Sequence, residues 1–208
     1  MTLLTRTTPE RWAELMFALS MSANVAAYET LCIAYSEEHR AYHTLEHIDA
    51  CLRHLDEVRG DAQRPHEIEM ALWFHDAIYN PFSATNELDS ADWAQVFLRD
   101  CGTTNDAIAR IYNLIMVTKN HADVTDNDGQ LMLDIDLSIL GAAPHIYDQF
   151  EKGIRYEYKK VPGFIFKKKR KQILQGFIAK DKIYIHPYFA NKLEQQAHEN
   201  LSRAIAAL

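Results

Sequence analysis

Ile68-Glu-Met-Ala-Leu-Trp-Phe-His-Asp-Ala-Ile-Tyr79 is the stretch whose period decides the fold class. Wound as an α-helix, it sets Ile68, Ala71, Leu72, His75 and Tyr79 on one side at three- and four-residue spacings, the pattern of an amphipathic helix and not of a strand. That side carries His75 in among apolar side chains, and Asp76 follows about 100° further round. An imidazole and a carboxylate drawn toward a core need partners, because burying unpaired polar or charged groups costs several kcal/mol.

The same period recurs in both directions. Leu45, Ile48, Leu52 and Leu55 make an apolar stripe with His47 at its edge. Helices are predicted over 9–20, 24–37, 44–58, 66–78, 86–101, 104–119, 129–140, 144–159, 165–179 and 189–207. Thr8-Pro9-Glu10 opens the first as N-cap, first-turn proline and first-turn acid. Gly60-Asp61, Asn80-Pro81, Gly102, Gly141 and Pro162-Gly163 mark breaks. Lys182-Ile-Tyr-Ile-His186 is rich in β-formers but has no partner run, so it is expected to cross the surface before the last helix. The 208 residues read as one all-α domain, with the motifs in about 25–160 and C-terminal helices over 165–207 packed on that part.

Composition narrows the function. A formal net charge of -7 argues against nucleic acid as a partner, since phosphate neutralisation needs a basic surface, yet leaves room for a small anionic substrate. The basic run Lys167-Lys-Lys-Arg-Lys171 reads as the solvated face of a helix whose apolar stripe is Ile165, Ile173, Leu174 and Phe177. Cys32, Cys51 and Cys101 form no C-x-x-C pair, which indicates neither a disulfide framework nor a thiolate zinc site. The N-terminus lacks a signal-like apolar segment, and no apolar run approaches the roughly 20 residues of a bilayer span. A cytoplasmic monomer or homodimer without a membrane partner is the expectation.

His47, the pair His75-Asp76, and one of Asp134 and Asp136 make two imidazoles and two carboxylates. That donor set suits a divalent ion such as Mn²⁺, Fe²⁺, Co²⁺, Ni²⁺ or Mg²⁺, and four ligands leave octahedral positions open for water and a substrate oxygen. Asp134 and Asp136 lie two apart on a helix and point about 200° from each other, so one of them faces the cluster. His43, four residues before His47, shares its face if both are helical. His43-Thr-Leu-Glu-His47 also matches the H-x-x-E-H pattern of inverted zinc peptidases, with Glu46 as general base, but that reading leaves His75, Asp76 and Asp136 unexplained. A third reading is a non-catalytic, ligand-sensing helical module that keeps a metal for structure.

Three segments, Arg40–His47, Leu72–Tyr79 and Leu133–Gly141, resemble the ligand-bearing segments of the HD-domain metal-dependent phosphohydrolases. Asn86-Glu87 with Ser90, Thr118 with His121, and Ile154-Arg155 with Glu157-Tyr158 extend the resemblance over most of 25–160, toward a compact bacterial-type subfamily. It implies an HD-type helical bundle, with the metal on His47, His75, Asp76 and Asp136 and with Asp134 in support. The implied activity is hydrolysis of small phosphate esters or anhydrides, nucleotides foremost, by metal-activated water. Under that resemblance His43 is a general acid, Asp76 serves catalysis as well as the metal, and Glu87 orients the attacking water. Arg40, Lys119, His121, Arg155, Tyr158 and Lys159 are the expected phosphate contacts. Arg155 is placed at the boundary of a helix whose other face, Ile146, Phe150 and Tyr158, is expected to be buried.

Overall fold

The computed structural model describes residues 5–120 and 124–208, the side chain of residue 120 excepted. Among these it has ten α-helices and no strand: α1 Pro9–Ala18, α2 Val25–Ala34, α3 Leu45–Val58, α4 Pro65–Phe74, α5 Asn86–Asp100, α6 Asn105–Asn120, α7 Asn127–Asp136, α8 Pro144–Glu157, α9 Gly163–Ile178 and α10 Pro187–Ala207. A 3₁₀ turn, Leu137–Gly141, continues α7. No helix among the described residues is long and apolar enough to cross a membrane.

Local chemistry starts most of these helices. Proline stands in the first turn of α1, α4, α8 and α10, where its missing N–H costs nothing and its fixed φ suits the helix. Thr8, Asn24, Thr44 and Asp126 cap α1, α2, α3 and α7, each accepting a backbone N–H with its side chain. Packing then fixes their order. Trp12 of α1 meets Trp73 of α4 edge to face at 5.4 Å, and Phe74 stacks with Phe97 of α5 at 5.4 Å. Trp12, Trp73 and Phe74 are all buried, so this aromatic cluster joins the first half of the chain.

α10 closes the second half by lying against the 3₁₀ turn. Its Asn200, fully buried, donates to the carbonyls of Leu140 and Ala142 at 2.9 and 2.8 Å. Gly141 allows the approach, since a Cβ there would stand 2.5 Å from the Cβ of Leu193 and 2.7 Å from its carbonyl oxygen.

Three sequence expectations are corrected here. The segment before α10 does not run over the surface: Ile183 and Tyr184 are buried, and the Tyr184 hydroxyl donates to Leu137 O at 3.0 Å. The buried side of α9 is Phe166 and Leu174, whereas Ile165 and Ile173 are 41% and 51% exposed. Both stripes have helical spacing, and only the surface against which α9 packs selects between them. On α8, Ile146 is exposed while Phe150 is buried.

Candidate metal centre

α3 delivers His47 and the 74–77 turn delivers His75 and Asp76. α4 stops at Phe74, with His75 as its C-cap, so the His-Asp pair occupies a turn and not the helical positions that periodicity predicts. Arg40 explains the stop. Its buried guanidinium donates to Asp76 O at 2.7 Å, Ala77 O at 2.9 Å and His43 O at 3.1 Å, and pairs with Glu37 at 2.9 Å. Carbonyls that a longer helix would satisfy internally are satisfied from residue 40 instead. Arg40 is therefore a fastener between two site loops, and its expected role as a phosphate contact is overturned. Arg40→Ala is expected to lower unfolding free energy by about 2–4 kcal/mol in urea titration. Arg40→Lys recovers little of this, because an ammonium cannot reproduce the planar fork.

The imidazoles meet head on. His75 Nδ1 lies 2.9 Å from Leu72 O; the carbonyl can only accept, so Nδ1 carries a hydrogen and Nε2 is the nitrogen that faces inward. His75 Nε2 is 3.1 Å from His47 Nε2. Asp76 Oδ2 stands 3.0 Å from His75 Nε2 and 3.6 Å from His47 Nε2. Asp136, at the end of α7, brings Oδ1 to 3.3 Å from His47 Nε2 and 3.5 Å from His75 Nε2. Donors about 2.1 Å from one ion are separated by about 3.0 Å at right angles and about 3.4 Å at the tetrahedral angle. The observed spacings fit that requirement, and His47, His75 and Asp136 form a group able to hold a metal ion.

Electrostatics agree with the geometry. Burial works to raise both carboxylates, but the neighbouring imidazoles outweigh it and hold Asp76 and Asp136 below the usual carboxylate range. Burial works to lower His75, and Asp76 and Asp136 outweigh that too, lifting it well above an ordinary histidine. Two anionic carboxylates around facing nitrogen atoms make a centre that favours a cation.

Asp134 turns the other way. Fully buried, it accepts the backbone N–H groups of Ile185, at 2.9 Å, and His186, at 2.6 Å, and burial pushes its carboxyl up to about 6. It anchors the entry to α10, and Asp136 is the carboxylate at the cluster.

His43 lies before α3, outside the helix, and so does not stack one turn below His47 as a helical run would place it. Its Nδ1 is 2.7 Å from Glu157 Oε2 and its ring stacks on Tyr79 at 4.2 Å. Glu157 is the residue for which the sequence reading found no role. Its Oε1 accepts the N–H groups of Ala41, Tyr42 and His43 at 2.8, 2.7 and 3.0 Å, and its Oε2 also accepts the Tyr79 hydroxyl at 2.8 Å. Burial works against the charge of both partners. For His43 it is outweighed by Asp76 first and then by Glu157, which raise the imidazole above its ordinary range. For Glu157 it is outweighed by the His43 bond and the backbone donors, which bring the carboxyl down to about 2.

A cavity of about 650 Å³ opens beside the cluster, with His43, Asp76, Glu87, Lys119, Asp136 and Tyr158 on its wall. Arg155 is not on that wall. Its guanidinium donates to Tyr158 O at 2.8 Å, at the C-cap of α8, and to Val161 O at 3.0 Å in the segment before α9, and packs on Phe166, which corrects its expected phosphate role. Lys159 lies over the Tyr156 ring at 3.8 Å and is likewise absent from the wall. Lys169 and Arg170, assigned by sequence to a solvated face, do line the cavity. His121 falls outside the described residues. Glu46 is exposed and His43 is engaged by Glu157, so the H-x-x-E-H arrangement does not converge as a peptidase site requires. No protein-family model, curated protein or solved structure matches this chain.

Proposed function

We propose that the chain is a metal-dependent hydrolase of small phosphate esters or anhydrides. The observation that carries this reading is the convergence of His47, His75 and Asp136, with Asp76 Oδ2 3.0 and 3.6 Å from the two imidazoles, beside a cavity whose wall carries Asp76, Asp136 and His43. The likeness of three sequence segments to HD-domain phosphohydrolases points the same way by analogy. A divalent ion held by these four residues would supply Lewis acidity toward phosphorus-bound oxygen and would activate water.

The chain's own residues divide the remaining work. Asp76 and Asp136 are 17% and 18% exposed, whereas His47 and His75 are almost fully enclosed. The imidazoles thus secure the buried side and the carboxylates face the cavity. Since Glu157 accepts at Nδ1, a protonated His43 keeps its second hydrogen on Nε2, the nitrogen left to serve the leaving-group oxygen as general acid. Glu157 fixes the ring's orientation and favours its protonated form, and Tyr79 packs its face. Lys119 offers positive charge to a phosphoryl group, and Glu87 is the carboxylate on the wall that orients the attacking water.

His43→Gln is expected to slow hydrolysis by roughly 10²- to 10⁴-fold, the usual range for losing a general acid or base, with metal content unchanged. Single-turnover phosphate release, together with metal analysis of the same sample, checks this. A parallel loss of metal would make His43 a ligand and sink its assignment as acid.

A further inference from the structure

The cavity wall is divided between charged and apolar groups. The apolar part comes from the 3₁₀ turn, α8 and α9, including Leu140, Phe150, Phe166, Ile173, Leu174 and Phe177. Lys119 of α6 and Lys169 of α9 add positive charge to the same wall, while Arg170 is held by Glu151 at 2.6 Å.

Neutral polar groups able to read a base or a sugar are nearly all engaged elsewhere. Asn86 Oδ1 accepts from Asn80 N and its Nδ2 donates to Asn80 O, both at 3.0 Å. Ser83 Oγ pairs with Thr85 Oγ1 at 2.9 Å and accepts Thr85 N at 3.0 Å. Thr118 Oγ1 donates to Ile115 O at 2.8 Å. The Tyr79 hydroxyl serves Glu157, and that of Tyr158 is paired with Tyr79. Among the described neutral side chains on the wall, the Tyr42 hydroxyl is the one that no protein group engages, and the others offer a ligand only the capacity their present bonds leave over. A nucleobase brought here would exchange hydrogen bonds to water for contact with hydrocarbon, which is unfavourable for polar edges.

Resting on the phosphohydrolase reading, we propose that the substrate is an amphiphile: a phosphate monoester of a linear hydrocarbon chain, with its phosphate at the His43 and metal-ligand end and its chain along the α8–α9 wall. The volume, about 650 Å³, lies within the roughly 300–1,000 Å³ of ordinary ligand sites and far exceeds what a bare phosphate needs. Ile173 is both on this wall and 51% exposed. The apolar lining thus continues to the rim, where a longer chain can emerge.

Two measurements on the full-length, metal-supplemented protein test this. The first is phosphate release from n-alkyl phosphates of two to ten carbons and from nucleoside monophosphates. The second is calorimetric binding of the corresponding alkylphosphonates, which cannot be hydrolysed. Affinity is expected to rise about fourfold per added methylene, the fold-change equivalent to about 0.8 kcal/mol per buried CH₂, until the cavity is filled. Octyl phosphate is expected to exceed every nucleoside monophosphate in kcat/KM. Ile173→Ser, at a half-exposed position that tolerates a small polar residue, is expected to flatten the chain-length slope. Hydrolysis with no chain-length slope, or with nucleotides preferred, overturns the amphiphile assignment and leaves the phosphohydrolase reading standing. Chain-length-dependent phosphonate binding without turnover of any ester upholds the ligand assignment and overturns the enzymatic one.

Discussion

Glu157→Ala is expected to lower unfolding free energy by about 3–5 kcal/mol, the range for removing one partner from a buried charged network. Five donors converge on this carboxylate: three consecutive backbone N–H groups, the His43 ring and the Tyr79 hydroxyl. Three of them lie in the loop that carries His43, so removing the carboxylate takes away the acceptor that ties this loop to α8. Glu157→Gln separates the two halves of the role. Its carbonyl oxygen can still accept the three N–H groups, so less stability is lost, but its NH₂ opposes a protonated Nδ1 and disfavours the imidazolium that the proposed general-acid role requires.

The same pair fixes an acid dependence. Glu157 has its folded value near 2, below the ordinary 4.5. Its contribution is therefore fully present above about pH 4.5 and is lost as the pH falls toward 2, because only the unfolded chain binds the proton in that interval. Urea midpoints measured from pH 7 to pH 3 should fall more steeply for the native chain than for Glu157→Gln. Parallel slopes would show that the carboxylate's charge contributes nothing to the fold.

His75→Ala is expected to remove metal binding and reduce phosphate release to background. Losing an outer-shell partner already costs 10–100-fold in metal affinity, and His75 supplies a nitrogen at the centre itself. Saturating metal at 100 times its dissociation constant stabilises a folded protein by about 2.7 kcal/mol, which for a domain of this size is a shift of roughly 5–10 °C in Tm. The native chain should show that shift on adding Mn²⁺ and lose it with chelator, while His75→Ala should show none. A variant that retains one equivalent of metal and full turnover would remove His75 from the centre.

The helices were legible because their signals are local. Pro9, Pro65, Pro144 and Pro187 stand in first turns, and apolar spacing sets the buried face of α3, whereas α4 is buried all round from Glu67 to Phe74 and is not the one-sided helix its spacing predicts. His47 and His75 were legible because ligating groups set among apolar residues stand out, whereas helix geometry left Asp134 and Asp136 open and the resemblance alone singled out Asp136. What escaped the sequence depends on distant partners. Arg40 turns to carbonyls at 76 and 77, and Glu157 finds its donors at 41–43 and 79. No spacing within either segment encodes those meetings. Arg155 is different, since a basic residue in a last helical turn commonly caps its own carbonyls, and that local signal was available. The rotation of α9 was ambiguous from sequence because Ile165 and Ile173 repeat with the same spacing as Phe166 and Leu174.

Phosphate release before and after chelation tests the central claim most directly. Purified protein, its chelated form and the chelated form resupplied with Mn²⁺, Co²⁺, Ni²⁺ or Mg²⁺ are assayed in parallel against alkyl phosphates, nucleotides and sugar phosphates, with metal content measured in each. The account predicts turnover that disappears on chelation and returns with about one equivalent of a divalent ion. Turnover that survives complete metal removal, or a full complement of metal with no phosphate released from any ester, would contradict it.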